Sequence, residues 1–463
     1  MNTARSIATA SGVLPLLGHV VPLLHDPLAF LRSLPAQGDL VSVHLGPFRA
    51  IMVCDPGLTH QVLFDDRTFD KGGPLWDRLR EVGGNGLASC PHSIHRRQRR
   101  ALQPAFHPSR LTRYARIMAD EIVQMTGSWR DGQVLDVLTE MQGLTMRVIT
   151  MTMFSGTLPA PVLREAIDEI MRLTKSTFQR MLTPPSLERL PLPSKRRFDQ
   201  ASARLHRTVR YIMENHRAHG ADHEDLLSTL LASRDPDAAD VRLQSLSDEE
   251  IAGHLVTFSI GGAETIATSL AWVLHVLAQH PAIEERLHAE VDEVLQGDAA
   301  THAHLPALKL TQNCIMEVMR LWPPGWVLTR TVAVDTHLGE HFIPAGTTLI
   351  YSPYIIHHRP DLFPDPERFD PDRWDSAQHP QPPRDAFVVF GGGARRCIGD
   401  QFGMIECTLA LATIASRWRL RSLPGHPVRP DTRSVVLQPR GLRMRLIARR
   451  HVGESRVDTH KAS

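Results

Sequence analysis

Along most of the chain, apolar residues recur at three- and four-residue intervals, the spacing of one helix face. This pattern predicts helices over 110–129, 134–154, 161–181, 195–216, 248–280, 282–295 and 311–322. Strand-like stretches are fewer. Residues 40–54 read as a hairpin turning at Gly46-Pro47, residues 341–352 as a second hairpin turning at Ala345-Gly346, and residues 434–446 as a further pair. The breaks at 183–194, 233–240, 296–306 and 375–385 are short, as loops inside one compact unit are. The expected class is mainly α with small β-sheets, in a single domain over 1–463 whose polar end, 451–463, is a flexible tail.

The longest apolar run has its own punctuation. Ser247 followed at three residues by Glu250 is a capping box, and Pro281 stops the helix. From Leu255 to Ala278 the run is apolar almost all round, so it should cross the core. Within it stands "GGAET". Gly261 and Gly262 weaken the helix by about 1 kcal/mol each. Thr265 can bond the Gly261 carbonyl four residues back and bend the helix. Glu264 would be a carboxylate in apolar surroundings, costly unless paired or protonated. A kink with a water-satisfied acid is the plain reading. An adjacent acid and alcohol also suit proton delivery to something bound beside the helix.

Two further stretches carry charge in apolar company. In "TQNCIMEVMRLWPP", Glu317 and Arg320 share a helix face that has no evident wet side. A buried pair needs its remaining donors and acceptors met, and Arg368 in "PDPERFDPDRW" is the sequence candidate for a third member. In "HRRQRR", His95 and Arg99 fall on one helical face, Arg96 and Arg100 on another. One face suits a buried anionic ligand and the other an acidic partner, although a solvated face fits six residues equally well.

Candidate chemistry concentrates in "FVVFGGGARRCIGD", residues 387–400. Glycines permit close backbone approach, and main-chain N–H groups and arginines favour a thiolate at Cys397. A thiolate facing a flat ligand suits a soft metal better than a nucleophile's role. No His/Asn arrangement for a cysteine protease is evident, and no phosphate-loop GK[ST] follows the glycines.

These residues resemble a family. "FGGGARRCIG" fits the haem-binding signature FxxGxRxCxG of the cytochromes P-450, "ExxR" stands at 317–320, "PERF" at 366–369, and "GGAET" looks like the family's oxygen-binding element, all in the family's order. The resemblance implies the P-450 fold, haem b as cofactor, and oxidation with O2 and NAD(P)H-derived electrons. It places Cys397 as the proximal iron ligand, with Phe390 beside it. It implies that His95, Arg99, Arg330 and Arg395 hold the propionates, that Glu264 and Thr265 steer protons, and that Glu317, Arg320 and Arg368 form a structural triad. As pocket walls it suggests Leu75, Trp76, Leu79, Leu87, Phe178, Phe258, Ala263, Val327 and Leu328. Three positions depart from the family pattern: Ile266 replaces a second hydroxyl residue, Gly403 an alanine, and His95 a tryptophan. The stretch 69–118 looks most like soluble actinobacterial sesquiterpene oxidases.

Composition narrows the partners. The net charge of +2 argues against nucleic-acid binding through bulk charge. Five widely spaced cysteines argue against a disulfide framework and fit a cytoplasmic protein. The apolar N-terminus is broken by Pro15, His19, Pro22, His25, Asp26 and Pro27, so an extended strap is expected there, with no transmembrane anchor. The expected protein is a monomer that hydroxylates an apolar terpenoid, served by a ferredoxin and ferredoxin reductase, since no flavin domain follows Leu446. A peroxide-using or hydroperoxide-rearranging enzyme is the alternative, and the acid–alcohol pair counts against it. A fatty-acid or macrolide hydroxylase and a non-enzymatic haem sensor stand further off.

Overall fold

The computed structural model describes residues 6–154, 173, 193–218, 225–234, 245–377, 380, 382, 383, 385–425 and 427–449. Apart from Leu173, the predicted helix 161–181, with Phe178, lies outside them. The other predicted helices form close to their expected bounds: Pro108–Gly127, Pro193–Ala218, Asp248–Gln279, Pro281–Leu295 and Lys309–Leu321. Residues 134–154 divide. Val134–Asp136 is a strand paired with Arg443–Arg445, and the helix starts at Val137.

Among the described residues, eight α-helices escaped the periodicity, and Val20–His25, Pro27–Ser33, Leu226–Ala232 and Pro353–His357 are too short to show it. Pro56–Phe64, Pro74–Gly83 and His92–Leu102 are short, and the first two have proline in the opening turn. Asp400–Arg417 is buried on nearly every side, so it shows no amphipathic stripe.

Turns were legible but pairings were not. Leu40–Leu45 and Phe48–Val53 do form the expected hairpin. The other two expected hairpins are corrected. His341–Ile343 pairs back with Thr336–Leu338, while Thr348–Tyr351 enters a six-stranded sheet between Phe48–Val53 and Leu328–Val332. Likewise Gln438–Arg440 pairs with Arg429–Asp431, and Arg443–Ala448 lies between Trp418–Ser422 and Val134–Asp136.

The main core gathers around Asp248–Gln279, whose capping box is present as read. Val137–Phe154 packs along it, where Thr145 Oγ1 donates to the Ala263 carbonyl at 2.9 Å. This central helix is long and apolar enough to span a membrane, yet 78% of its apolar window is buried, so it serves as core. The N-terminal segment, expected as an extended strap, instead holds the short helices Val20–His25 and Pro27–Ser33, and buried His19 ties it down by accepting the His44 N–H at 2.9 Å.

Candidate active site

The cysteine loop is closed by its own backbone. The Cys397 N–H donates to the Phe390 carbonyl at 2.8 Å, and Gly391 N–H to the Val388 carbonyl at 2.9 Å. Gly391 and Gly393 hold φ of 69° and 60°, which glycine adopts without strain. Within the protein itself, two of the loop glycines are also required by close packing. A Cβ at Gly392 would lie 2.9 Å from the Phe64 ring, and one at Gly393 2.7 Å from the Leu63 carbonyl. The glycines therefore seat the loop against Pro56–Phe64.

That seating leaves the thiol free. Cys397 is exposed, whereas Cys54, Cys90, Cys314 and Cys407 are buried. The Cys397 side chain reaches the surface, yet the protein packed around the loop raises its pKa, opposed by the Gly399 N–H and by Arg99 and Arg396. Arg396 is exposed and pairs with Asp400 at 2.9 Å, and Phe390 lies beneath its guanidinium.

Beside the loop, positive charge is gathered and left short of counter-charge. Arg330 is only 1% exposed, yet its Nε and Nη1 have no hydrogen-bond partner among the described residues. Arg395, also buried, donates to Asp66 at 3.0 Å, to Asp70 at 2.8 Å and to the Cys90 carbonyl at 2.8 Å. Lys71 is the member that sequence reasoning missed. Burial, then Arg330 and Arg395, push its pKa well down, and its ammonium lies 3.4 Å from the Trp76 ring centroid. His95 is held neutral, its pKa lowered to about 3 by burial and by Arg395. Arg99 donates to the Arg396 carbonyl, so it braces the cysteine loop as well as lining the cluster. A buried guanidinium with two orphaned donors calls for an anion. A flat ligand carrying carboxylates, with iron at Cys397, fits this donor set.

The Glu317–Arg320 pair is fully buried and bidentate, at 2.8 and 2.9 Å. Its third member needs correction. Arg368 is exposed and contributes only its carbonyl, which accepts from Arg320 at 3.1 Å. The side chain that reaches Glu317 is Arg373, at 3.5 Å, joined by Trp374 Nε1 at 3.0 Å and the Asp370 N–H at 3.1 Å. The sequence did hold the signal. "PDRW" repeats the spacing of "PERF" five residues later, and the turn at Asp370 rotates only the second copy inward.

On the central helix, Thr265 Oγ1 donates to the Gly261 carbonyl at 2.6 Å, as read from the spacing. The helix nonetheless runs unbroken through Gly261-Gly262. Gly261 is exposed and Thr265 half-buried, so this turn faces open space. Glu264 is 6% exposed, its Oε2 has no partner among the described residues, and burial alone lifts its pKa to about 7. Ile266 turns away from that space toward Gly403, where a Cβ would meet its side chain at 3.6 Å. Two of the departures noted in the sequence thus face each other.

The profile of the family "Cytochrome P450" matches residues 10–446. The chain belongs to the cytochrome P450 family. It is 45% identical over 418 residues to cyclooctat-9-en-7-ol 5-monooxygenase of Streptomyces melanosporofaciens, covering 90% of each chain. It is 41% identical over 441 residues to pentalenene oxygenase of Streptomyces avermitilis, covering 95% of this chain and 97% of the other. Its fold is similar to the crystal structure of the cytochrome P450DA heme domain, with a TM-score of 0.84, 27% identity, and coverage of 96% and 98%. This P450 is thus an oxidoreductase of the monooxygenase kind with haem b as its cofactor.

The suggested pocket walls of this P450 are only partly gathered. Leu75, Trp76 and Leu79 lie on Pro74–Gly83, where Trp76 Nε1 donates to the Thr329 carbonyl at 2.8 Å and ties that helix to the Arg330 strand. Val327 and Leu328 are half-buried at the start of the same strand. Leu87, Phe258 and Ala263 sit in the main core. The Leu87 N–H donates to buried His254 at 3.2 Å, a contact no motif announced.

Proposed function

We propose that this P450 hydroxylates an apolar, polycyclic terpenoid, with Cys397 as the residue that would hold the haem iron. The observation that carries the site assignment is the orphaned Arg330 within a buried cationic cluster, beside the one exposed thiol among the described residues. The substrate class rests on the likeness to two enzymes whose names specify pentalenene and cyclooctat-9-en-7-ol.

When bound, the haem supplies dioxygen activation and one-electron chemistry. The protein supplies position, charge and protons. Arg330, Arg395, Lys71, Arg99 and neutral His95 would hold the propionates. Glu317, Arg320 and Arg373 fix the segment that leads to the ligand loop. Burial raises the Glu264 pKa to about 7, which favours the protonated carboxyl, and no charged partner opposes release of that proton. Thr265 Oγ1 donates to Gly261, which leaves its lone pairs to accept a proton donor from the open side. Leu75, Leu79, Val327 and Leu328 supply the apolar walls.

Electrons come from an acidic ferredoxin, itself served by a ferredoxin reductase. Arg96 and Arg100, on the other face of the His92–Leu102 helix from His95 and Arg99, offer it basic groups at a cleft that also contains Asp66. We place this P450 in the cytoplasm as a monomer.

The test is a terpenoid screen for a shift of the haem Soret band, with products of positive compounds identified by mass spectrometry in a surrogate ferredoxin system. Polycyclic terpenoids should shift the band and gain one oxygen. Shifts confined to fatty acids or macrolides would remove the substrate reading and leave the site assignment standing.

A further inference from the structure

His357 joins two parts of the site that are otherwise separate in the chain. It lies at the end of the short helix Pro353–His357 and is fully buried. The Val388 N–H donates to its Nε2 at 3.0 Å. A backbone N–H only donates, so Nε2 is the unprotonated nitrogen and the ring proton sits on Nδ1. That proton is placed to meet the Arg320 carbonyl, 3.2 Å away. In return, Arg320 Nη1 donates to the His357 carbonyl at 2.9 Å. The ring also stacks on Phe387, with centroids 5.1 Å apart and planes 18° apart.

From Val388 the connection continues. The Val388 carbonyl accepts from Gly391, and the Phe390 carbonyl accepts from Cys397. An unbroken series of contacts therefore runs from Glu317 through Arg320 and His357 to the segment that presents the thiol. Only a neutral imidazole can serve both ends, and burial with the adjacent Arg320 charge holds His357 neutral, its pKa far below the usual range.

We propose that His357 is a positioning residue for the cysteine loop, transmitting the fixed geometry of the Glu317–Arg320 pair to Cys397. The inference rests on the reading of Cys397 as iron ligand. It goes beyond it by naming the side chain that holds the loop in register. Leucine at 357 would keep the packing and lose both hydrogen bonds. Glutamine carries an amide NH2 donor group and a carbonyl acceptor on a similar stem and would retain part of the link.

The experiment uses the full haem-loaded chain and three variants: His357→Leu, His357→Gln, and His288→Leu as a buried-histidine control on a distant helix. Two quantities are read. One is the fraction of the ferrous carbon monoxide complex with a thiolate-type Soret band. The other is amide hydrogen exchange at Val388 and Cys397. His357→Leu should lose most of the thiolate-type band and exchange both amides about tenfold faster, the cost of one or two unmade buried hydrogen bonds. His357→Gln should recover much of both, and His288→Leu should move neither. If His357→Leu keeps the band and the protection, or loses them no more than His288→Leu does at matched melting temperature, the proposal fails. Should His357→Leu not fold, exchange in the unmodified protein decides: the two amides must open together, and independent opening overturns the link. Absence of a thiolate-type band in the unmodified protein would instead reject Cys397 as the ligand.

Discussion

Two buried glutamates on neighbouring helices have opposite surroundings. Glu317 accepts from Arg320 twice, and from Arg373, Trp374 and the Asp370 N–H. Glu264 has apolar neighbours, an oxygen with no partner among the described residues, and a pKa lifted to about 7. The first arrangement converts a carboxylate into a fixed strut. The second keeps a proton available, at the cost of leaving a polar group unsatisfied. The contrast separates what holds the ligand loop from what moves protons opposite it.

The sharpest way to break that contrast is to remove one partner from the saturated side. Glu317→Leu leaves the Arg320 guanidinium buried and uncompensated and should cost about 3–5 kcal/mol. Haem content and melting temperature should fall together. On the same side, Arg373→Ala should destabilise measurably, whereas Arg368→Ala should stay within about 0.5 kcal/mol of the parent in urea unfolding. Equal losses for the two arginines would reject the corrected triad.

On the unsaturated side, Thr265→Ala and Glu264→Gln should leave haem content and fold intact. Product formation should drop at least ~100-fold while electron donor is still consumed, measured as product per NAD(P)H oxidised. Stability should respond to pH in a definite direction. The folded pKa of Glu264 lies above the ordinary carboxyl value of 4.5, so the folded state binds this proton more tightly. The contribution is fully present below 4.5 and is lost as pH rises toward about 7, by up to ~3 kcal/mol. Glu264→Gln should flatten unfolding free energy across that window. An unchanged slope would place the proton elsewhere.

The smallest effect is expected where the Glu264 helix meets Asp400–Arg417. A Cβ at Gly403 would touch Ile266 at an ordinary 3.6 Å, so Gly403→Ala should stabilise by about 0.5–1 kcal/mol through helix propensity. With turnover unchanged, that result confirms Ile266 as packing and removes it from the proton path. A large loss of activity would restore it.

Some of this was legible in the chain because it is local. The capping box at Ser247, the Thr265 bond to Gly261 and the pairing of Glu317 with Arg320 all span three or four residues, a distance that helix geometry fixes. The cysteine signature is equally local, and the turns at Gly46 and Gly346 were placed correctly. Lys71, Arg373 and His357 were not visible in this way. Arg373 and His357 take their partners, Glu317 and Val388, from distant parts of the chain, Lys71 is brought beside the like charges of Arg330 and Arg395, and no short spacing records such contacts.

The sequence by itself determined the mainly α class, the central helix with its acid–alcohol turn, and the one cysteine set in a glycine-rich basic loop. Tertiary structure decided which arginine completes the Glu317 cage, which strands pair, and which surface the glycines approach. The physical reason is burial. A turn or a cap is settled by neighbours along the chain. Whether a carboxylate becomes a strut or a proton carrier depends on which donors distant segments bring within hydrogen-bond reach once water has been excluded.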